Sequence, residues 1–221
     1  MISQYFIAAI LISLAVAPPA ENWQRVDGCK WLSNRWNDGD SFHLLTGDVH
    51  REIVTRLYFV DTPEAETAYY DRLDEQSAYF GITHEQCLEI AHEAADFTRR
   101  RLNQPFTIWT RWHRAPGRST IGRVYCLVID STGKDLNVAL VENGFARIYG
   151  KKTPVPDGRD SRAYIDDLKK IEAGAKAERK GAWRFNPQSL ANQHQHHHAS
   201  RLKFYRLIIG TTEAKPSLLT T

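Results

Sequence analysis

The sequence predicts an α+β fold in which helices pack against a small antiparallel sheet or barrel. Two observations support this: strand-like runs precede a long helical segment, and two further runs precede the last helices. The 221 residues, 42% of them apolar, suffice for one well-packed domain with extensions. This apolar content excludes a disordered chain, and no repeat of solenoid period is present.

The predicted strands are short runs rich in apolar and β-branched residues. They cover 23–36, 41–45, 51–60, 105–114 and 122–130. Thr46-Gly47-Asp48 has the composition of a hairpin turn between the second and third runs. Pro63 cannot donate to a strand ladder, so the third run is expected to end just before it.

Three helical segments follow from apolar spacing and capping residues. Residues 65–103 form a helical insert in which Thr83 and Gln86 fit a capping box. Asp135 is expected to cap a short helix that ends before Gly144. Asp160 or Ser161 is expected to cap the last helix.

Residues 1–20 have the pattern of a secretory signal peptide. They contain no charged side chain, and an apolar run from Tyr5 to Ala17 precedes small residues and prolines. The run is shorter than the ~20 residues of a membrane span. We expect cleavage near Ala17 or Ala20 and a secreted or periplasmic product, with an uncleaved anchor or a buried N-terminal element as alternatives.

The three cysteines allow at most one intramolecular disulfide. An exported protein permits one, and Cys29 with Cys87 is the favoured pair. Cys126 lies within a strand-like run and is interpreted as a buried core thiol. None of the three has the spacing of a zinc site.

Charge is distributed unevenly along the chain, although the formal net charge is only +3. Residues 184–221 form a tail with clustered histidines and five basic residues against one acidic residue. The tail is interpreted as flexible, with metal binding as the alternative. Residues 64–96 hold nine acidic residues and only one arginine, Arg72. A local basic patch consists of Arg111, Arg114, Arg118 and Arg123.

Three short segments carry residues suited to phosphate chemistry. They are Asp38-Gly39-Asp40-Ser41, Arg56 with Asp61-Thr62-Pro63-Glu64, and Ile121-Gly122-Arg123. Carboxylates with a backbone carbonyl provide oxygen ligands for a hard cation such as Ca²⁺. Arginines suit a phosphate because the guanidinium group contacts two of its oxygens. Alone, each segment is more often a turn, a strand end or a surface arginine, so the combination carries the information.

In combination these segments resemble the staphylococcal nuclease (thermonuclease) family. The resemblance runs from Asp38 to Trp183, most of the chain after the signal peptide. Further matching segments are Asn137–Ala146, Glu172-Ala-Gly-Ala-Lys176 and Gly181-Ala-Trp183. The resemblance implies a five-stranded OB-type β-barrel with about three helices, to which the insert at 65–103 is added. The domain is accordingly predicted to span residues 21–183.

The resemblance also implies roles for individual residues. Asp40 and Asp61 would ligate Ca²⁺ by their side chains and Thr62 by its carbonyl, with Asp38 acting through water. Glu64 would serve as general base, and Arg56 and Arg123 would bind the phosphate. Arg118 and Tyr149 are additional candidates for contacting the substrate, although a packed tyrosine is the simpler interpretation of Tyr149.

The predicted function is that of an exported, monomeric, Ca²⁺-dependent nuclease. It would hydrolyse phosphodiester bonds of DNA, RNA or both with little sequence specificity and without a small-molecule cofactor. One alternative is a non-catalytic module of the same fold that binds nucleic acid or protein. Another is an exported metal-handling protein that uses the histidine-containing tail. The insert is either a cap over the site or an additional packed helix pair.

Overall fold

A computed structural model describes residues 22–65, 70–117 and 121–186. It contains a closed five-stranded barrel, a two-stranded sheet, four α-helices and one 3₁₀ turn. The elements are β1 (Gln24–Trp31), β2 (Ser41–Leu45), β3 (Glu52–Leu57), β4 (Val60–Asp61), α1 (Tyr70–Phe80), α2 (His84–Arg101), β5 (Phe106–Arg114), β6 (Arg123–Ile129), α3 (Leu136–Glu142), β7 (Arg147–Ile148), α4 (Ser161–Ala177) and the 3₁₀ turn Gly181–Arg184.

The barrel strands lie in the order β1-β2-β3-β6-β5, with β5 closing against β1. The α+β fold with a five-stranded barrel is confirmed. The expectation of a wholly antiparallel sheet is wrong, because β3 and β6 are parallel, with Val54 opposite Arg123 and Arg56 opposite Tyr125. Short hairpins join only antiparallel strands. Two helices and β5 lie between β3 and β6 in sequence, and this long connection permits the parallel pairing.

Apolar side chains from all five strands fill the barrel. Phe42 stacks on Trp31 at a ring distance of 5.1 Å and meets Phe106 edge-on at 6.5 Å. Helices α3 and α4 add Leu140 and Leu168 to the same core. The barrel is therefore a packed scaffold, and functional side chains must project from its outer surface and its ends.

The predicted third strand, 51–60, is interrupted in the structure. Phe59 has a φ of 67°, an uncommon conformation for a bulky residue. The N–H of Val60 donates to the carbonyl of Tyr58 at 2.8 Å, so the chain makes a tight turn. Asn137 of α3 donates to the same carbonyl at 3.0 Å. Beyond the turn, β4 pairs with β7, with Asp61 opposite Arg147.

The predicted helix caps are present. Thr83 and Gln86 form the reciprocal capping box of α2, and Asp135 and Asp160 cap α3 and α4. Within the insert, Gly81 has a φ of 68° and follows the end of α1. The helical prediction for 65–103 is therefore realised as two packed helices, with Leu73 and Phe80 of α1 buried.

The predicted Cys29–Cys87 disulfide is absent, and all three cysteines are free and buried. Cys29 and Cys126 lie in the barrel core, whereas Cys87 lies in α2 beside Ser77 of α1. The two members of the predicted pair therefore belong to different packed regions. Burial raises the pKa of the Cys29 thiol to about 11 and that of Cys126 further, which favours unreactive thiols.

The predicted signal peptide at 1–20 lies outside the described residues, and so does nearly all of the tail at 184–221. Within the described ranges, none of the helices has both the length and the apolar character needed to span a membrane.

The cysteines provide a test of the packing. Ellman's reagent is expected to label no thiol in the native protein, because all three are buried. Without reductant, unfolding in guanidinium should then expose three reactive thiols. A single reactive thiol after unfolding would instead show that two cysteines form a disulfide.

A second test concerns Asp130, which joins the turn after β6 to the end of α2. Its Oδ1 accepts the N–H groups of Thr132 and Lys134 at 2.9 and 3.0 Å, and its Oδ2 accepts from Arg101 Nε at 2.7 Å. Although burial opposes ionisation, these donors hold the pKa of Asp130 below its ordinary value. The ionised carboxylate therefore stabilises the fold above the unfolded-state pKa, and this contribution is lost as the pH falls through the folded-state pKa.

We expect Asp130→Asn to lower the free energy of unfolding by about 2 kcal/mol at pH 7. The difference from wild type should shrink below about pH 4, where the carboxyl group is neutral in the unfolded chain. Urea denaturation at several pH values measures both quantities. A difference that is the same at all pH values would contradict the ionic origin.

Candidate active site

The Asp-Gly-Asp motif forms the turn that enters β2. Asp38 Oδ1 accepts the backbone N–H groups of Asp40 at 3.0 Å and Ser41 at 2.5 Å. Asp40 Oδ2 in turn accepts the backbone N–H of Thr62 at 3.0 Å. Gly39 has no room for a side chain, since a Cβ there would lie 2.7 Å from Thr62 Cγ2. The motif therefore holds the start of β2 against the end of β4.

Arg56 lies between the two buried aspartates. It is opposite Ser41 in the β2–β3 register, and its Nη2 is 3.1 Å from Asp40 Oδ2. The same Nη2 donates a short hydrogen bond to Asp61 Oδ1. Their five-residue separation would place Arg56 and Asp61 on opposite faces of a continuous strand. The turn at Phe59 breaks the strand and brings Asp61 to the side of Arg56.

The Asp61 carboxylate accepts hydrogen bonds from three arginines and one glutamine. Its Oδ1 accepts from Arg56 Nη2 and from Arg72 Nη2, the latter at 2.6 Å. Its Oδ2 accepts from Gln76 Nε2 at 2.9 Å and from Arg147 Nε at 2.8 Å. The side chain is completely buried. The barrel, the insert and β7 therefore meet at one negatively charged group.

Helix α1 also holds the segment that follows Asp61. Gln76 Nε2 donates to the carbonyl of Thr62 at 2.9 Å, and its Oε1 accepts the backbone N–H of Glu64 at 2.9 Å. Arg72 Nη2 lies 2.8 Å from Glu64 Oε1. The Glu64 side chain is 15% exposed, so its carboxylate lies at the edge of the buried network.

Arg123 lies at the start of β6 on the same face as Arg56. It is opposite Val54, two positions from Arg56 along β3. Its Nη1 donates to Ser41 Oγ at 3.1 Å and its Nη2 donates to the carbonyl of Pro116. Its Nε is buried without a hydrogen-bond partner in the described residues. The guanidinium group therefore retains a free donor beside the site.

The surroundings lower the pKa of one carboxyl group in the site and raise the pKa of three others. Burial acts to raise the pKa of Asp61, but the charges of its three arginine partners outweigh it and hold that pKa below its ordinary value. Burial raises the pKa of Asp40 despite the charge of Arg56, and raises that of Asp38 well above the ordinary value. Burial also raises the pKa of Glu64 against the opposing charge of its arginine partner.

The comparisons with known proteins assign the chain to a family. A family model described as "Staphylococcal nuclease homologue" matches residues 54–185, more than half of the chain. The chain belongs to this nuclease family. No match is found among the sequences of curated proteins. The matched region begins after Asp40, and the hydrogen bond from Thr62 to Asp40 connects the preceding motif to the matched region.

Within this candidate site the structure brings together most of the predicted residues. Asp40, Asp61, Thr62, Glu64 and Arg56 are connected by direct contacts. Asp38 contacts the backbone of the Asp-Gly-Asp turn, and Arg123 is joined through Ser41. Arg118 lies outside the described residues.

Tyr149 lies close to the network through Arg147. The Arg147 guanidinium carbon is 4.1 Å from the centre of the Tyr149 ring. The tyrosine is 52% exposed, so it is not the fully packed side chain of the simpler interpretation. Its use as a platform for a nucleobase stays a prediction.

Three site residues were not predicted: Arg72, Gln76 and Arg147. The sequence did contain a signal for Arg72, because it is the one arginine among the nine acidic residues of 64–96. Gln76 lies one helical turn further, so it shares a face with Arg72. Arg147 had no local signal, because it reaches Asp61 from 86 positions away through the β4–β7 pairing.

The predicted Ca²⁺ ligands do not fit a bound cation as they are arranged here. The nuclease family is generally Ca²⁺-dependent. In this chain, however, both Asp61 oxygens and the Thr62 carbonyl accept hydrogen bonds from protein donors. Within residues 22–65, 70–117 and 121–186, no group of three or more His, Cys, Asp or Glu side chains is arranged to hold a metal.

The buried ion-pair network predicts a large effect of removing Asp61. Asp61→Ala would leave several guanidinium groups without their shared counter-charge, which costs about 3–5 kcal/mol of stability. Chemical denaturation measures the loss. As a matched control, Asp166→Ala removes an exposed α4 carboxylate that pairs with Lys169, and should change stability by about 0.5 kcal/mol or less. Equal effects of the two substitutions would contradict the network.

Proposed function

We propose that the protein is an exported nuclease that hydrolyses phosphodiester bonds of DNA, RNA or both. The observation that supports this best is the position of Glu64. Its partly exposed carboxylate lies at the edge of an arginine-rich network in a chain of the nuclease family. A carboxylate beside fixed cationic donors suits activation of water next to a bound phosphate.

The arginines provide the phosphate-binding part of the proposal. Arg56 and Arg123 project from neighbouring strands on one barrel face, and Arg123 retains an unpaired Nε. Guanidinium groups bind phosphate oxygens in pairs and remain charged at all physiological pH values. They would therefore stabilise the additional negative charge that develops on the phosphate in the transition state.

Glu64 would orient and deprotonate the attacking water. Burial raises the pKa of its carboxyl group, which makes the carboxylate a stronger base than a fully solvated glutamate. The water oxygen forms a bond to phosphorus, its proton passes to Glu64, and one P–O ester bond breaks. The leaving oxygen takes a proton from solvent, and Glu64 returns its proton to solvent.

Contacts to phosphate carry no base information, so the cleavage is expected to tolerate sequence. Tyr149 is the candidate platform for a base next to the site, and its half-exposed ring suits stacking. The proposal includes action as a monomer, without an organic cofactor. Ca²⁺ dependence stays a prediction from the family, and no step above is assigned to a metal.

Cleavage of labelled denatured DNA, duplex DNA and RNA by the purified chain tests the proposal, with Ca²⁺ or with chelator. Glu64→Gln should lower the rate about 10²–10⁴-fold, the usual contribution of a general base. Arg56→Ala should lower it about 10²-fold or more through lost charge stabilisation. Glu178→Gln is the matched control, since Glu178 is exposed and pairs with Lys180 away from the candidate site.

A folded protein that cleaves none of these substrates with Ca²⁺, Mg²⁺ or Mn²⁺ would contradict the proposal. If that protein still binds the labelled strands, the non-catalytic module becomes the better description. Wild-type rates in both Glu64→Gln and Arg56→Ala would show that the site is misplaced. Circular dichroism and thermal unfolding distinguish these outcomes from loss of folding.

A further inference from the structure

We propose that Arg72 and Arg147, together with Gln76, occupy the place of a divalent cation at Asp61, so that this site acts without Ca²⁺. The inference about activity rests on the proposed nuclease function, whereas the inference about metal binding does not. The inference about metal binding follows from the hydrogen-bond donors around Asp61 and from the balance of charges there.

The first argument concerns the oxygens of Asp61. An ionised carboxylate offers about four acceptor positions on its two oxygens. All are used here by donors from Arg56, Arg72, Gln76 and Arg147. A Ca²⁺ ion requires six to eight oxygen ligands at about 2.3–2.6 Å. A cation at Asp61 would have to displace at least one of these four donors from a buried carboxylate.

The second argument concerns the Thr62 carbonyl, the backbone oxygen among the predicted ligands. Gln76 donates to it at 2.9 Å with the same Nε2 that donates to Asp61. The other end of the Gln76 amide accepts the N–H of Glu64. The buried Gln76 side chain therefore hydrogen-bonds to two of the three predicted ligand residues, Asp61 and Thr62. Both the nitrogen and the oxygen of its amide are held by hydrogen bonds.

The third argument is electrostatic. Among the carboxylates that these arginines contact, Asp40, Asp61 and Glu64 are buried or largely buried, and Arg56 alone would leave these three with an excess of two negative charges. Arg72 and Arg147 supply two positive charges, equal to the charge of one Ca²⁺ ion. The two arginines therefore already compensate the buried charge that a Ca²⁺ ion at Asp61 would compensate.

The two arginines are held in place by the fold. The Arg147 side chain is only 5% exposed, and it also contacts Glu75 of α1 at 3.3 Å and the Tyr149 ring. Arg72 extends from α1, whose Leu73 is buried. The Arg72 side chain is 38% exposed, in contrast to that of Arg147. Arg72 is therefore the member of the pair placed to contact a phosphate oxygen.

Titration of the purified chain with CaCl₂ tests the metal-binding inference. Wild type should give no binding heat by calorimetry and no rise in melting temperature in millimolar CaCl₂. Arg72→Ala removes a donor from both Asp61 and Glu64, so its Ca²⁺ affinity should rise at least about tenfold. Arg99→Ala is the matched control, because it removes an exposed arginine that pairs with Asp96 on α2.

Stabilisation of the wild type by CaCl₂, or an unchanged Ca²⁺ affinity in folded Arg72→Ala, would overturn the inference. If Arg72→Ala does not fold, Arg72→Gln retains a polar side chain of similar length and carries the same expectation. The wild-type titration needs no variant, so it tests the metal-binding inference even if neither Arg72 variant folds.

Cleavage assays test the second half of the inference. Wild-type cleavage should continue at the same rate when chelator replaces CaCl₂, and Arg72→Ala should lose rate that CaCl₂ partly restores. Wild-type cleavage that chelator abolishes and CaCl₂ restores would overturn the inference. Absence of cleavage under every condition counts against the proposed function, while the calorimetric result still decides whether the arginines occupy the cation position.

Discussion

The Asp61 carboxylate is a buried negative charge whose full set of donors comes from the barrel, the insert and the short β4–β7 sheet. A buried carboxylate is tolerable only when it is hydrogen-bonded and compensated. This requirement explains why α1 lies against the end of β4 and why β7 pairs with it. The same donors fix the positions of Thr62 and Glu64, so the order of the candidate site depends on this one group.

The insert is consequently part of the site and not only an additional packed helix pair. Its apolar residues Leu73 and Phe80 anchor α1, while Arg72 and Gln76 reach the carboxylates. In an acidic segment a lone arginine would ordinarily be a surface residue with little energetic weight. Arg72 instead pairs with the buried Asp61 and the largely buried Glu64, so its charge stabilises the carboxylates of the site.

Local sequence patterns predicted the features that depend on residues close together in the chain. Strand runs and helix caps predicted the strands and α2 to α4, because these signals span only a few positions. The five-stranded barrel and most residues of the site followed from the resemblance that the short motifs carry in combination. Strand alternation places Asp61 on the face opposite to Arg56. The structure differs because the left-handed conformation of Phe59 interrupts the strand between them. Arg147 and the separation of Cys29 from Cys87 depend on long-range packing, which leaves no local signature.

The hydrogen bond from Arg147 to Asp61 spans 86 positions, and it closes a loop that contains α1, α2, β5, β6 and α3. Contacts of such sequence separation form only after most of the chain is organised. Local opening of α1 would expose a charged cluster that has lost its partners, so partial unfolding is disfavoured relative to all-or-none unfolding. The arrangement around Asp61 and the global fold are thus expected to appear and disappear together, as a single cooperative unit.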